Sequence, residues 1–598
     1  MAFLLGLVSL LHVASAGIFL RIIAVSELLY SSYVLFVLTM ILAIIEIRKP
    51  VAIVTEKDNN FNRNSTKEPS KNQRISNKTE AEGLRQRKPK AEENEKPDVN
   101  ETVQEILAKD RKHNKPLLKM WTIINIVLFY FVVDFTFRPL VEPENDLVFY
   151  RLGYVGPNSA KISFRLPPQA FKSFYNGDKT QENGNADLLD NEITIRYIEI
   201  KNKGEIPEQS NAQWVKIETI NTPNLDTDYT GVYEITDLSP SKLYHVQILQ
   251  KTDNEIIGDL ELKTTPENGN PTKFKFGTGS CIKPNFPYIP GSKPHLEGFR
   301  KMATHDMDMI MFLGDFVYAD CPYYYGSKLE DYRRLYRQVY TTEDTKNLVQ
   351  KTPMLHIYDD HEIIDNWSLK KQGPYENAMK AYWEYNGAAN PKSEISNVFY
   401  YNFTRGDVAF YVWDTRGHRD HPDVLDTPQK TMLGEVQKVH FMQWAKDVNH
   451  TAAVKFVVSS TPLAYVWDSS DAYKDTWKGY QNERNEILNV TMYIPNLHFL
   501  SGDRHEVAVV ELSSMNMEFS TSPVNQFSLP RVNKHVSEWG GDVTKYYHQP
   551  GQIKFAVIEV DTETSPDEPV VKYNLYSNSH EDAQEPVYSL NVPGKKWR

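Results

Sequence analysis

Apolar residues at the start of this 598-residue chain restrict its folding more than any other feature. Phe3 to about Phe19 is apolar, Leu20-Arg21-Ile22 follows, and a second apolar run covers about Leu28 to Ile47. A third spans about Met120 to Phe137 and is closed by Arg138. A helix needs roughly 20 apolar residues to cross a bilayer. Residues 1–48 are therefore expected to hold two transmembrane segments, and residues 120–138 a third. The first run is short and carries His12 and Arg21. Ala14-Ser15-Ala16 within it also fits the cleavage site of a signal peptide, so both readings stand for that run.

Residues 49–119 are polar and rich in Lys, Glu, Asn and Pro, with Arg85, Arg87, Lys88 and Lys90 close together. Such a stretch buries too little apolar surface to offset its ordering entropy, and a disordered basic loop is expected. Basic loops stay cytoplasmic, which puts everything after about Arg138 outside or in a lumen. The expectation is thus an integral membrane protein with its larger part on the far side. Sequons at Asn402, Asn449 and Asn489 agree with this, whereas those at Asn64, Asn77 and Asn100 fall in the loop placed inside; the charge argument is preferred. The net charge of −11 gives no reason to expect a nucleic-acid partner. Two cysteines, Cys281 and Cys321, exclude a disulfide framework.

From 146 to 265 the chain alternates apolar and polar residues in short runs, such as Ala160–Arg165, Ile193–Ile198 and Tyr244–Ile248. A period of two reads as half-buried strands. Together with the corner at Tyr233–Tyr244, this resembles a small fibronectin III-like β-sandwich, serving as a spacer or lid. From about Pro271, apolar strand-like runs alternate with helical stretches, including Ser327–Tyr340 and Thr431–Asp447. That order predicts a layered α/β domain over 271–577, with a tail at 578–598.

Polar clusters follow the strand candidates of this domain: Phe276-Gly-Thr-Gly-Ser-Cys281, Leu313-Gly-Asp-Phe-Val-Tyr318, Tyr358-Asp-Asp-His-Glu-Ile-Ile-Asp-Asn-Trp367, Trp413-Asp-Thr-Arg416 and Leu500-Ser-Gly-Asp-Arg-His505. Ligands of α/β sheets bind where strands end. Converging carboxylates repel one another, so a site that gathers them usually holds a cation. Asp and Asn oxygens suit hard cations; a thiolate, an imidazole and a phenolate suit a transition metal. Two adjacent metals of different character, bridged by a carboxylate, suit in-line displacement at phosphorus by an activated water.

In order, these clusters resemble the motifs of the PhoD-like alkaline phosphatases, which hydrolyse phosphomonoesters and phosphodiesters. The matching residues are Gly279-Ser-Cys281, Gly314-Asp-Phe-Val-Tyr318, Tyr358-Asp-Asp-His-Glu362, Asp414-Thr-Arg416 and Gly502-Asp-Arg-His505, with a terminal hairpin at Phe555–Asp561 and Val570–Tyr576. The resemblance covers Pro271 to Ser577 and implies a metallophosphoesterase-like fold, with Fe(3+) and Ca(2+) as cofactors. It implies iron on Cys281, Asp315, Tyr318 and His505, with Asp315 bridging to calcium. Asp503, the Asp359–Asp360 pair and Asn366 would serve the second metal. Phe316, Val317, Tyr358 and Arg504 depart from the family pattern and remove no ligand.

Each residue also has a plainer reading. Cys281 could be a buried small hydrophobe or pair with Cys321. Tyr318 could be core. His361 is either an acid that protonates the leaving group or a residue that orients a ligand. Arg416 either clamps the phosphate or pairs with Asp414 or Asp420. Tyr332, Tyr336 and Tyr340 would share one helix face, as packing or as a cleft wall. The function expected is a membrane-anchored hydrolase of a phosphoester, lipid- or glycan-linked by reason of location. The alternative is a membrane-tethered scaffold on a vestigial phosphatase fold.

Overall fold

The computed structural model describes residues 2–48, 99–168, 192–205, 213–216, 220–221, 223–251, 254–528, 535–579 and 585–597. Helices run over Ala2–Arg21, Ser26–Arg48 and Val99–Val141. Within them, Phe3–Arg21, Ser26–Arg48 and Lys115–Val141 are long and apolar enough to cross a membrane. The third helix begins inside the stretch expected to be a disordered loop. Residues 101–119 are largely Glu, Gln, Leu, Ala, Lys and Arg, which lose little rotamer freedom in a helix. They continue an apolar helix that has already met the cost of nucleation. The rest of the expected loop, 49–98, lies outside the described residues.

The chain divides into two units, Met1–Val13 with Tyr33–Leu128 and Ala14–Ser32 with Phe129–Arg598. In the first, a polar network joins helices. His12 Nδ1 lies 2.6 Å from Asn125 Oδ1, and Asn125 Nδ2 donates to Ser9 Oγ at 2.6 Å.

In the second unit, the alternating segment folds into two sheets. One holds strands Phe149–Val155, Ala160–Arg165 and Thr230–Ile235; the other centres on Glu192–Ile200, Leu243–Gln250 and Ile256–Lys263. Leu152, Ile162 and Phe164 from the first sheet share a core with Ile195, Val246 and Leu260 from the second. At the corner, the Tyr244 hydroxyl accepts a hydrogen bond from the Ser239 amide at 2.9 Å.

Two larger sheets form the α/β part. A six-stranded sheet has the order Met354–His356, Met309–Phe312, Lys273–Gly279, Lys554–Asp561, Val570–Ser577, Tyr588–Pro593. An eight-stranded sheet includes Val408–Val412, Val454–Val458 and Leu497–Ser501, paired in parallel. The sheets face each other across an aromatic core, in which Phe276 meets Phe410 and Phe456 at 5.7 and 5.2 Å between ring centroids. Helices Glu435–Val448 and Gln481–Thr491 cover the outer face of the larger sheet through Phe441, Trp444 and Ile487. Helix Leu329–Tyr340 buries Tyr332, Tyr336 and Tyr340, so that aromatic face is packing and not a cleft wall.

The segment expected to be a tail is part of the sheet. Tyr588–Pro593 pairs antiparallel with Val570–Ser577, and Trp597 is buried beneath the Lys455 ammonium. The alternation of Tyr588, Leu590 and Val592 carries that strand, and the partner strand would otherwise present an open edge.

Candidate metal centre

The parallel strands aim their carboxyl ends at one place. Cys281 follows Lys273–Gly279, Asp315 follows Met309–Phe312, and Asp359 follows Met354–His356. Ser460 follows Val454–Val458, and Asp503 follows Leu497–Ser501. Turning each chain sharply inward has a cost. Cys281, Asp315, Asn366, Asp503 and His505 all have positive φ, between 55° and 71°. That region is sparsely used by residues with a Cβ, and such strain gathers at functional sites. At Gly314, φ is 104° and a Cβ would lie 2.6 Å from that of Asp359, so close approach of the two strand ends requires glycine there.

The sequence-derived ligands converge. Ligand atoms of Cys281, Asp315 and His505 lie within 4.8 Å of one another, as do those of Asp315, Asp359, Asp360 and Asp503. Asp315, Asp360 and His361 form a third such group, so Asp315 is common to all. Tyr318 completes the first set: its hydroxyl lies 3.1 Å from Asp315 Oδ2 and 3.0 Å from His505 Nε2. Cys281 Sγ lies 3.3 Å from Asp315 Oδ2, and both cysteines are free thiols, so Cys281 does not pair with Cys321. Asn366 reaches the group through its backbone, its N–H donating to Asp360 Oδ2.

Among the described residues, several oxygens here accept no hydrogen bond: Asp315 Oδ1, Asp359 Oδ2, Asp503 Oδ2 and Asn366 Oδ1 are buried, and only Asp503 Oδ2 has an ion-pair neighbour, Arg504 Nη1 at 3.7 Å. Orphaned buried acceptors are rare and costly. The electrostatics agree. Burial pushes the Asp315 and Asp503 carboxyls well above the usual range, and neighbouring acids, Asp360 and Asp359 for the former, push the same way. Burial also raises the Cys281 thiol and the Tyr318 hydroxyl, with Asp315 next in effect. His505 is held neutral by burial, as a metal-binding imidazole must be. Without a cation, the pocket favours the protonated form of Asp315, Asp503, Cys281 and Tyr318. A cation would favour the deprotonated form of each. The residues fit a metal site.

Of the two readings of Arg416, the ion pair with Asp414 or Asp420 is not formed. Its guanidinium is buried, with Nε on Asp359 Oδ1 and Nη2 at 2.8 Å from Asp475 Oδ1. Asp414 instead accepts backbone N–H groups of Arg416 and Gly417. The arginine therefore lies behind the acids. His361 stacks on Tyr318, ring centroids 4.3 Å apart, and its Nδ1 sits 2.7 Å from Asp320 Oδ1. Burial would lower its pKa, but Asp320, Asp360 and Asp315 outweigh that and keep it protonated.

Sequence reasoning missed the residues that hold these groups. Asp320 fixes His361, and Asp475 joins Arg416 to Arg504. Ser460 donates to Asp359 Oδ1 at 2.6 Å. Glu362 accepts the amides of Asp315, Phe316 and Asp359, tying two motif turns together. Of these, Glu362 lies inside a motif already singled out, without a role assigned to it, and Asp320 lies two residues after Tyr318; both could have been flagged. Asp475, on the helix Ser470–Asp475, carries no sequence signal.

Residues 276–562 match the family model described as PhoD-like phosphatase. Alkaline phosphatase D of Bacillus subtilis (strain 168) is 24% identical over 359 residues, which cover 52% of this chain and 59% of that protein. The chain thus spans less than two thirds of that relative. Among solved structures, PhoD aligns with a TM-score of 0.54 at 18% identity, covering 74% of this chain and 91% of its own. Purple acid phosphatase PPD1 from yellow lupin (Lupinus luteus) aligns at 0.51 with 11% identity, covering 75% and 74%. These two likenesses establish a metallophosphoesterase-like α/β fold.

Proposed function

We propose that the chain, whose residues 276–562 match the family model described as PhoD-like phosphatase, is a metal-dependent phosphoric ester hydrolase anchored in a membrane. The observation that carries this reading is the set of orphaned oxygens on Asp315, Asp359, Asp503 and Asn366, within a cluster that also presents a thiol, a phenol and an imidazole. Cys281, Asp315, Tyr318 and His505 would hold Fe(3+). Asp359, Asp360, Asn366 and Asp503 would hold Ca(2+), with Asp315 shared. When bound, such ions lower the pKa of water and stabilise charge on phosphoryl oxygens.

The protein's own groups do the rest. Asp320 holds His361 by Nδ1, and Nε2, 3.7 Å from Asp365 Oδ1, would give a proton to the departing alcohol. Arg416 acts as a positioning residue that fixes Asp359 between itself and Ser460. Glu362 locks the turns that carry Asp315 and Asp359.

The anchoring proposal draws support from the apolar helices Phe3–Arg21, Ser26–Arg48 and Lys115–Val141. Three crossings put the turn after Arg21 and the end of the third helix on one side. Both meet the catalytic domain: the Leu20 carbonyl accepts the Tyr288 amide at 2.9 Å, and Asp134 accepts the Tyr288 hydroxyl at 2.6 Å. The basic loop would then be cytoplasmic and the catalytic domain outside or luminal. The small sandwich is read as fibronectin III-like on its strand order and the Tyr244 corner.

Direct attack by water inverts configuration at phosphorus. Hydrolysis of a phosphoester made chiral at phosphorus is expected to invert; retention would show a covalent enzyme intermediate and overturn this mechanism.

A further inference from the structure

The rim of the metal site is fastened to the membrane helices at several points. The loop that leaves Tyr318 runs back onto them. Cys321 Sγ lies 3.3 Å from the Ala24 carbonyl, and the Tyr325 hydroxyl donates to the Thr136 carbonyl at 2.8 Å. Tyr323 meets Phe137 edge-on at 5.1 Å. The segment that follows Cys281 leads to Tyr288, whose carbonyl accepts from Arg21 at 3.1 Å and whose ring meets Phe135. On another side, Gln552 donates to the Arg21 carbonyl at 2.8 Å, and Lys554 nearby donates to the carbonyl of His505. The turn between the first two helices is therefore gripped by segments adjoining Tyr318, Cys281 and His505.

A pocket joins the two regions, lined by Phe135 and Arg138 of the third helix together with Lys283, Tyr318 and Tyr325. On the same segments that make these contacts, Ile22, Ile289 and Tyr324 are 49%, 46% and 44% exposed. Apolar side chains held in the open beside helix ends suit the interfacial layer of a bilayer, where aromatic and aliphatic groups meet head groups. A soluble phosphatase on a flexible stalk would need none of these contacts.

Building on the hydrolase reading, we infer that the substrate is a phosphoester in the head group of a lipid in the same membrane, presented to the site at the bilayer surface. Hydrolysis adds water across a P–O bond. The hydroxyl ends on phosphorus, and the proton goes to the leaving oxygen of glycerol or of the head-group alcohol.

The test uses the full chain reconstituted in phosphatidylcholine vesicles doped with phosphatidic acid, so that a lipid diester and a lipid monoester are both present. A soluble chromogenic phosphoester is assayed in parallel. Lipid in the enzyme's own vesicles should be consumed at least tenfold faster than the same lipid in separate vesicles. Ile289→Asp and, independently, Tyr324→Asp should each slow lipid hydrolysis severalfold and leave the soluble rate unchanged, which also reports correct folding. Equal rates on lipid in own and separate vesicles, or hydrolysis of the soluble ester with none of lipid, would overturn the inference and leave the hydrolase reading intact. Loss of both activities in a fully metallated wild-type chain would overturn the hydrolase reading itself.

Discussion

Asp320 shows how a residue off the ligand list can govern the chemistry. It accepts from the His361 ring at 2.7 Å and from the Asp365 amide, so it sets where the imidazole points. Asp320→Asn should lower kcat about 10–100-fold, with KM and metal content little changed; a purely structural role would reduce metal content and stability together. The candidate ligands could be singled out in the sequence because each sits in a short motif that follows a strand. The chain could not disclose the partners of Arg416. Asp475 reaches it across 59 residues, and only the fold brings them to 2.8 Å. For the same reason the alternative that pairs Arg416 with Asp414 or Asp420 is not found: proximity in sequence is not proximity in space.

Among the elements, the central strands of the larger sheet carry a burden that pH can reveal. His498 on Leu497–Ser501 is buried between the Phe456 and Phe519 rings, and burial lowers its pKa to about 3, with Lys455 acting in the same direction. In the unfolded chain the imidazole titrates near 6.5. Below that pH the unfolded state takes up a proton that the folded state refuses, so stability falls from about 6.5 down to about 3. His498→Phe should recover up to roughly 3 kcal/mol of that loss near pH 4; thermal midpoints of both proteins across this range give the answer. Strand positions were readable from apolar runs, and predicted Val454–Ser459 and Leu497–Leu500 fall within a residue of the observed ends. The helix over 99–119 and the strand Tyr588–Pro593 were not. Each depends on a neighbouring element, the membrane helix in one case and an open sheet edge in the other.

At the scale of the molecule, the two small sheets are tied to the α/β part by a buried network of charges. Asp228, on the sandwich side, accepts from Arg165, from Arg337 of the helix Leu329–Tyr340 and from the Tyr385 hydroxyl. Burial alone would raise the Asp228 pKa, but Arg165 and Arg337 outweigh it and hold it below the ordinary 3.8. Its contribution is thus complete above that pH and lost as pH falls below it. Asp228→Asn leaves two buried guanidinium groups short of a counter-charge and should cost about 3–5 kcal/mol at neutral pH, seen as a lower unfolding midpoint with metal content unchanged in the folded fraction. A change of hydrophobic period distinguishes the two regions in sequence, but nothing marks this junction, because buried ion pairs between distant segments leave no local pattern.

The central claim is that the converging ligands form a working metal site. The most direct measurement is elemental analysis of the purified full chain and of Asp315→Asn, with hydrolysis of a phosphomonoester and a phosphodiester assayed on the same samples. The account predicts iron and calcium in the wild type, loss of both from the variant, and no hydrolysis by it. A folded wild-type protein that binds neither metal after reconstitution, or that binds both and hydrolyses nothing, would contradict it.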